Sequence, residues 1–323
     1  MNILVTGGAG FIGSAFVRWM LDRYPDYHVT IYDKLTYAGL MSRLEDLMAE
    51  ESSRLHFVHG DICNPLDVRA ALKEYEIDSI INFAAESHVD RSIEDAHRFV
   101  TTQAVGTTIL LDEGSKHGID KFVQISTDEV YGDISFGSAT EEDTLGPRNP
   151  YAASKAAAEM MVMSFYTTFG LPVFITRCSN NYGPWQHPEK FVAGSITKLL
   201  GGSSITLHGN GNYWRDWIHT DDHCAAIDLI LHRGTSGEIY NICSGELHTN
   251  THIAHLLLSM LDKPKSAIEY ITDRLGNDRR YSMNTSKIRS LGWQPTRDLK
   301  AGLKETIEWY QTNKPWWTQL QSH

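Results

Sequence analysis

Positive charge is scarce in this chain: 29 Lys and Arg stand against 40 Asp and Glu, a formal net charge of -11. A chain of that sign is repelled on average by nucleic acid and by anionic membrane surfaces, so neither is an expected partner. Long apolar runs are missing as well. No stretch approaches the roughly 20 apolar residues of a membrane-spanning helix, and Met1-Asn2-Ile3-Leu4-Val5 runs straight into a glycine turn where a signal sequence would need a longer apolar segment. Cysteine is sparse. Cys63, Cys178, Cys224 and Cys243 have neither the spacing of a disulfide framework nor that of a metal site, which fits a reducing, cytoplasmic compartment and no metal. With these classes set aside, 323 residues of which 41% are hydrophobic and 21% charged are enough for one large or two closely joined α/β domains with a substantial core.

Short β-branched runs alternate with longer helical stretches over the first part of the chain. Strands are predicted over 2–6, 29–33, 55–59, 79–83, 121–126 and 173–177, the alternation that builds a parallel sheet covered by helices on both faces. After Cys178 the pattern changes to Gly-, Asn- and Pro-rich connections with shorter helices such as 250–261. The fold expected is α/β: a Rossmann-type doubly wound parallel sheet over 1–178, with a returning segment near 212–243, and a smaller mixed α/β C-terminal substrate domain over 179–323. A ligand cleft between them is the natural site.

The first strand leads into Gly7-Gly8-Ala9-Gly10-Phe11-Ile12-Gly13 and then a helix. Glycines at 7, 10 and 13 permit a tight turn, close approach of backbone to a diphosphate and close helix packing. A glycine string alone is weak evidence, but Asp33 ends the second strand about twenty residues further on, where a carboxylate accepts from an adenosine ribose and repels an added phosphate. NAD is therefore the expected cofactor. Asp61-Ile62 and Ala84-Ala85-Glu86 follow the third and fourth strands, at the ligand edge of such a sheet.

Tyr151 and Lys155 stand four apart in a run, 152–166, whose Ala, Met and Glu content predicts a helix, so they share a face. An ammonium beside a phenol favours the phenolate and suits it to act as a base. Such a pair also arises by chance on helix surfaces. Its context is the cluster Ser126-Thr127-Asp128-Glu129-Val130-Tyr131-Gly132 at the end of the fifth strand.

These motifs together with Phe83-Ala84-Ala85-Glu86-Ser87-His88-Val89-Asp90-Arg91-Ser92, Cys178-Ser179-Asn180-Asn181-Tyr182-Gly183-Pro184, Pro188-Glu189-Lys190 and Arg215-Asp216-Trp217 resemble the extended short-chain dehydrogenase/reductases. Within that family they resemble the dTDP-glucose 4,6-dehydratases over nearly the whole chain, the Asp128-Glu129 pair separating this group from the related 4-epimerases. The resemblance implies a nucleotide-sugar substrate and a homodimer joined through helices near 98–115 and 152–168. It implies that Tyr151, with Lys155 and Thr127, takes the proton of the sugar's 4-hydroxyl while hydride passes to NAD. Glu129 would then remove the proton from the fifth carbon and Asp128 protonate the departing 6-hydroxyl before hydride returns to the sixth carbon. It further implies that Phe11, Ile12, Lys34, Thr36, Ile62, Thr102 and Cys178 join Gly7, Gly10, Gly13, Asp33, Asp61, Ala84, Ala85, Tyr151 and Lys155 around the dinucleotide.

For the substrate the same resemblance implies Ser87, Thr127 and Asn180 at the hexose, Glu189, Lys190 and Phe191 at the nucleoside end, and Arg215, Asn250, Arg274 and Asn277 at the diphosphate and its ribose, where an Arg fork matches phosphate oxygens. Thr206 and His208 stand where the thymidine-nucleotide enzymes have Pro and Tyr, and Asn277 where they have His; both departures are similar to the UDP-glucose 4,6-dehydratases. Gln103 and Trp214 also depart from the usual Asn and small aliphatic residue. The expected reaction is dehydration of dTDP-glucose, with UDP-glucose as the alternative substrate, a nucleotide-sugar 4-epimerase or decarboxylase as the alternative enzyme, and a silent NAD-binding module as the alternative outside catalysis.

Overall fold

β-Branched and aliphatic residues set the strand positions of this protein, whose computed structural model describes residues 1–273 and 275–320. The strands are β1 (Asn2–Thr6), β2 (His28–Asp33), β3 (Leu55–His59), β4 (Ser79–Asn82), β5 (Lys121–Thr127), β6 (Val173–Cys178), β7 (Asn180–Tyr182), β8 (Ile205–His208), β9 (Trp214–His219), β10 (Glu238–Ile242), β11 (Leu247–Thr249) and β12 (Ile268–Ile271). Seven form one parallel sheet in the order β10-β6-β5-β4-β1-β2-β3. Both faces of this sheet are buried. In β1, Ile3 and Val5 face a core shared with Phe16 and Met20 of helix Phe11–Arg23 and Ile227 and Ile230 of helix Thr220–Arg233. Leu4, pointing the other way as strand alternation requires, meets Leu110 of helix Thr107–His117 and Val162 of helix Pro150–Phe169.

The expected doubly wound sheet is thus present, with one-residue adjustments at the ends of β2, β4, β5 and β6. Phe83 lies beyond the end of β4, whereas Thr127 extends β5 by pairing with Cys178. The helix expected over 152–166 is longer, because Asn149 caps its start ahead of Pro150 and Gly170, at φ +70°, ends it in the left-handed conformation. The C-terminal part has its own apolar cluster, with Val192, Ile196, Ile253, Leu257, Leu303 and Tyr310 among its members. It covers two small sheets, β11-β9-β7 and β12-β8. β10 lies at the edge of the large sheet, pairing Tyr240 with Thr176, although some sixty residues separate it from β6.

Candidate active site

Strand order reverses at β1, whose neighbours β2 and β4 continue in opposite directions across the sheet, and a crevice opens at such a switch point. Its walls come from the turns after β1 and β4. A Cβ on Gly7, whose φ is +67°, would lie 2.6 Å from the Ala84 backbone nitrogen, so only glycine lets the two turns approach. A Cβ on Gly13 would fall 2.3 Å from the Gly7 carbonyl oxygen. Helix Phe11–Arg23 then starts at Gly10 with no side-chain cap and no acidic residue in its first turn, leaving N–H groups and positive dipole to meet an anion. Asp33 is buried at the end of β2; it accepts from the Ala9 nitrogen at 2.9 Å and the Leu35 nitrogen at 2.8 Å. Each carboxylate oxygen keeps a lone pair for a ribose hydroxyl. This glycine turn, bare helix start and carboxylate fit a dinucleotide.

The crevice is a cleft of about 510 Å³. Every residue expected at the dinucleotide lines it, as do Thr127, Asp128, Glu129 and the expected substrate residues Ser87, Asn180, Glu189, Lys190, Phe191, Thr206, His208, Arg215, Asn250 and Asn277. Arg274 lies outside the described residues.

At the end of β5, Thr127 accepts from the Glu129 nitrogen at 3.2 Å, capping a single turn over Asp128–Tyr131, and donates to Asp128 Oδ1 at 3.1 Å. Burial, and after it the charge of Glu129, pushes the Asp128 carboxyl up to about 8. The pair therefore offers one protonated acid beside a second carboxyl group. Lys155 is driven the other way by burial, down to about 8. Its Nζ donates to the Ile125 carbonyl at 2.9 Å. Tyr151 differs from the sequence expectation: burial first, then Glu129, raise its hydroxyl well above 10. In this geometry the phenol remains protonated.

Toward the substrate end, Lys190 reaches the Ser87 carbonyl at 2.6 Å. Arg215, buried under the ring of Tyr281 with 4.2 Å between guanidinium carbon and centroid, donates to the Asp278 carbonyl at 2.8 Å and to Asn277 Oδ1 at 3.3 Å. The Oδ1 atoms of Asn180 and Asn250 are buried with no hydrogen-bond partner among the described residues, so each is an acceptor with nothing yet to accept. Thr206 Oγ1 accepts from Lys198 at 3.0 Å, and His208 Nδ1 lies 3.2 Å from the Thr272 carbonyl.

Known proteins match this arrangement end to end. The family described as GDP-mannose 4,6 dehydratase matches residues 4–306. A dTDP-glucose 4,6-dehydratase of an Actinoplanes species is 44% identical, covering 98% of this chain and 100% of its own. A crystal structure of a dTDP-glucose 4,6-dehydratase from Streptomyces venezuelae, solved with NAD bound, has a TM-score of 0.96 at 46% identity and covers 99% of this chain and 100% of that one. The chain belongs to the nucleotide-sugar 4,6-dehydratase family. A UDP-glucose 4-epimerase from Thermotoga maritima is more distant, 29% identical with a TM-score of 0.90 over 97% of this chain and 100% of its own.

Around this dehydratase-family cleft stand residues that the sequence reading missed. Arg43 is a fully buried part of the wall, donating to the carbonyls of Ala9, Ala38 and Trp185 at 2.7 to 3.0 Å. No carboxylate among the described residues pairs with it, and its Nη2 has no partner. Nothing in the spacing of a lone Arg at the end of the short 3-10 turn Met41–Arg43 signals this. Asn149 and Tyr281 both reach Glu129 Oε2, at 3.0 and 3.5 Å; for Asn149 a signal existed, since Asn before Pro marks a helix start.

Proposed function

We propose that this protein removes water from dTDP-glucose, using NAD and giving the 4-keto-6-deoxy sugar. One observation carries the reading: a buried carboxyl held protonated near neutrality, Asp128, stands beside Glu129 on the wall that also presents Tyr151. Elimination across two carbons needs one acid and one base at the same moment. Epimerisation at the fourth carbon needs only the base of the oxidation and no such elimination pair. The Streptomyces venezuelae relative is a dTDP-glucose 4,6-dehydratase solved with NAD bound, and the glycine turn, the bare helix start and Asp33 fit that cofactor here.

Bound NAD supplies an acceptor, and later a donor, of hydride. The chain's own residues handle the protons. Tyr151, accepting the 4-hydroxyl proton, is the base of the oxidation, and substrate and cofactor binding must lower its pKa; Lys155 and Thr127 stabilise the charge that develops. The resulting ketone acidifies the fifth carbon, Glu129 takes that proton, and Asp128 gives its own to the departing 6-hydroxyl. The unpartnered Asn180 and Asn250 oxygens await hydroxyl or amide donors of the nucleotide sugar. Thr206 and His208 line the cleft, and their resemblance to the UDP-glucose enzymes keeps UDP-glucose as the alternative substrate.

Two helices of the large-sheet region, Thr107–His117 with the turns preceding it and Pro150–Phe169, leave Val100, Val105, Met160 and Phe169 between 47% and 64% exposed. This stripe is the proposed homodimer face. The cytoplasm is the proposed compartment: the four cysteines are unpaired, and no helix among the described residues is long and apolar enough to cross a membrane.

Mass spectrometry of the product from dTDP-glucose and from UDP-glucose tests the reading. Loss of one water is expected; an unchanged mass points to epimerisation. Glu129→Gln should still oxidise the fourth carbon while water loss slows by about 10²- to 10⁴-fold. Tyr151→Phe should slow the oxidation itself by a similar factor.

A further inference from the structure

Asn149 is buried behind Glu129 and is not part of the cleft wall. It is the N-cap of helix Pro150–Phe169, which carries Tyr151 and Lys155. Its Oδ1 accepts from the Ala152 nitrogen at 2.8 Å while its Nδ2 donates to Glu129 Oε2 at 3.0 Å. The backbone N–H can only donate, so the carbonyl end of the amide must face Ala152. That leaves the NH₂ group for the carboxylate. The other group near the same oxygen, the Tyr281 hydroxyl, is 3.5 Å away and has a nearer acceptor in Asp278 at 2.9 Å. A hydroxyl has one proton, so Asn149 is the close donor to Glu129.

We infer that Asn149 is a positioning residue that fixes the base Glu129 relative to Tyr151, so that the two proton-removing groups sit on one rigid unit. The inference rests on the proposed role of Glu129. When the fifth-carbon proton passes to Glu129, the C–H electron pair becomes the new carbon–carbon double bond, the bond from the sixth carbon to oxygen breaks, and the leaving hydroxyl departs as water with the proton of Asp128. Asn149 exchanges no proton. Its N–H holds the Glu129 carboxyl group in place to take one. Ser, Thr and Asp cap helices about as well as Asn. Ser and Thr are too short to span from Ala152 to Glu129, and Asp has no N–H to give, so helix capping alone does not account for the amide.

Asn149→Asp and Asn149→Ser test this. Both keep a helix cap; the first sets a carboxylate against Glu129 and the second removes the donor. Single turnovers with dTDP-glucose separate the steps: near-ultraviolet absorbance of the reduced nicotinamide reports oxidation, and product mass reports water loss. Oxidation is expected to stay near the wild-type rate while water loss slows at least about tenfold, with a changed pH profile of water loss in Asn149→Asp. Wild-type water-loss rates and pH profile in both variants would overturn the inference, as would equal slowing of both steps, the mark of a lost cap. If the Ser variant does not fold, Asn149→Asp carries the test alone, since Asp at a helix start also complements the dipole. Failure of the wild-type protein to release water would overturn the proposed function instead. A block in Glu129→Gln with normal Asn149 variants confines the failure to Asn149.

Discussion

Burial pushes Asp128 and Lys155 in opposite senses to nearly the same point, about 8 for each. Asp128 donates only while protonated, so its pKa, raised above the ordinary carboxylate value, makes it competent at neutral pH and incompetent once the pH rises through about 8. The water-loss step, followed in single turnovers, is expected to decline across that pH; a level rate would contradict the acid assigned. Lys155 sheds its proton in the same window, but its loss should appear in the oxidation step, which is measured separately. At this scale the sequence was informative where chemistry clusters along the chain. Thr127, Asp128 and Glu129 are consecutive, and Tyr151 and Lys155 lie one helical turn apart. Arg43 was not legible, because it reaches the cleft wall through tertiary packing and belongs to no local motif; the approach of Tyr281 to Glu129 is likewise a tertiary contact that chain order does not show. The reversed expectation for Tyr151 has the same origin: spacing placed an ammonium near the phenol, but could not show the burial of the hydroxyl or its approach to the Glu129 charge.

Helix Pro150–Phe169 is joined to the sheet by a buried ion pair. Glu159, wholly buried, receives Arg177 of β6 in a fork at 2.6 to 3.2 Å and a hydrogen bond from Ser126 of β5; Arg177 also reaches the Tyr131 hydroxyl at 2.7 Å. Removing one partner leaves an uncompensated charge in the interior, which costs about 3–5 kcal/mol. Glu159→Gln is therefore expected to lower the unfolding free energy by about that amount in chemical denaturation; a change below about 1 kcal/mol would show that the site accommodates the loss. The β-branched runs made six of the seven large-sheet strands readable, since strands buried on both faces appear as continuous apolar stretches; β10 fell within the segment expected to return near 212–243 without being predicted as a strand. β7 and β11 have three residues each, too few for any periodicity. Nor could sequence show the π-helical turn Thr101–Gly106, which brings Gln103 to the backbone of Glu86 at 3.0 and 3.3 Å and Thr102 to the cleft.

Across the whole molecule, the C-terminal helices pack back on segments that build the cleft. Trp316 donates to Ser42 at 3.0 Å, Trp185 packs against Trp309 and Trp316 with centroids 4.7 and 5.2 Å apart, and the Tyr310 hydroxyl donates to the Gln186 carbonyl. Trp317, with 2% of its surface exposed, fills the cluster and donates to the Tyr310 carbonyl at 2.8 Å. Trp317→Ala is expected to cost about 3–5 kcal/mol, seen as a lower midpoint in thermal melting; an unchanged midpoint would mean that this end of the chain adds little. None of this docking was readable beforehand, because aromatic residues on short helices look alike whether they pack locally or across the molecule.

The placement of β10 bears on how the chain is made. When residues 1–178 have left the ribosome, β6 has one partner and its other side offers a row of unpaired backbone groups until Glu238–Ile242 follows. Such an open edge is a template for stray strands. A polypeptide halted between these points during synthesis would expose that edge to neighbouring nascent chains, so completing the sheet depends on translation proceeding past residue 242.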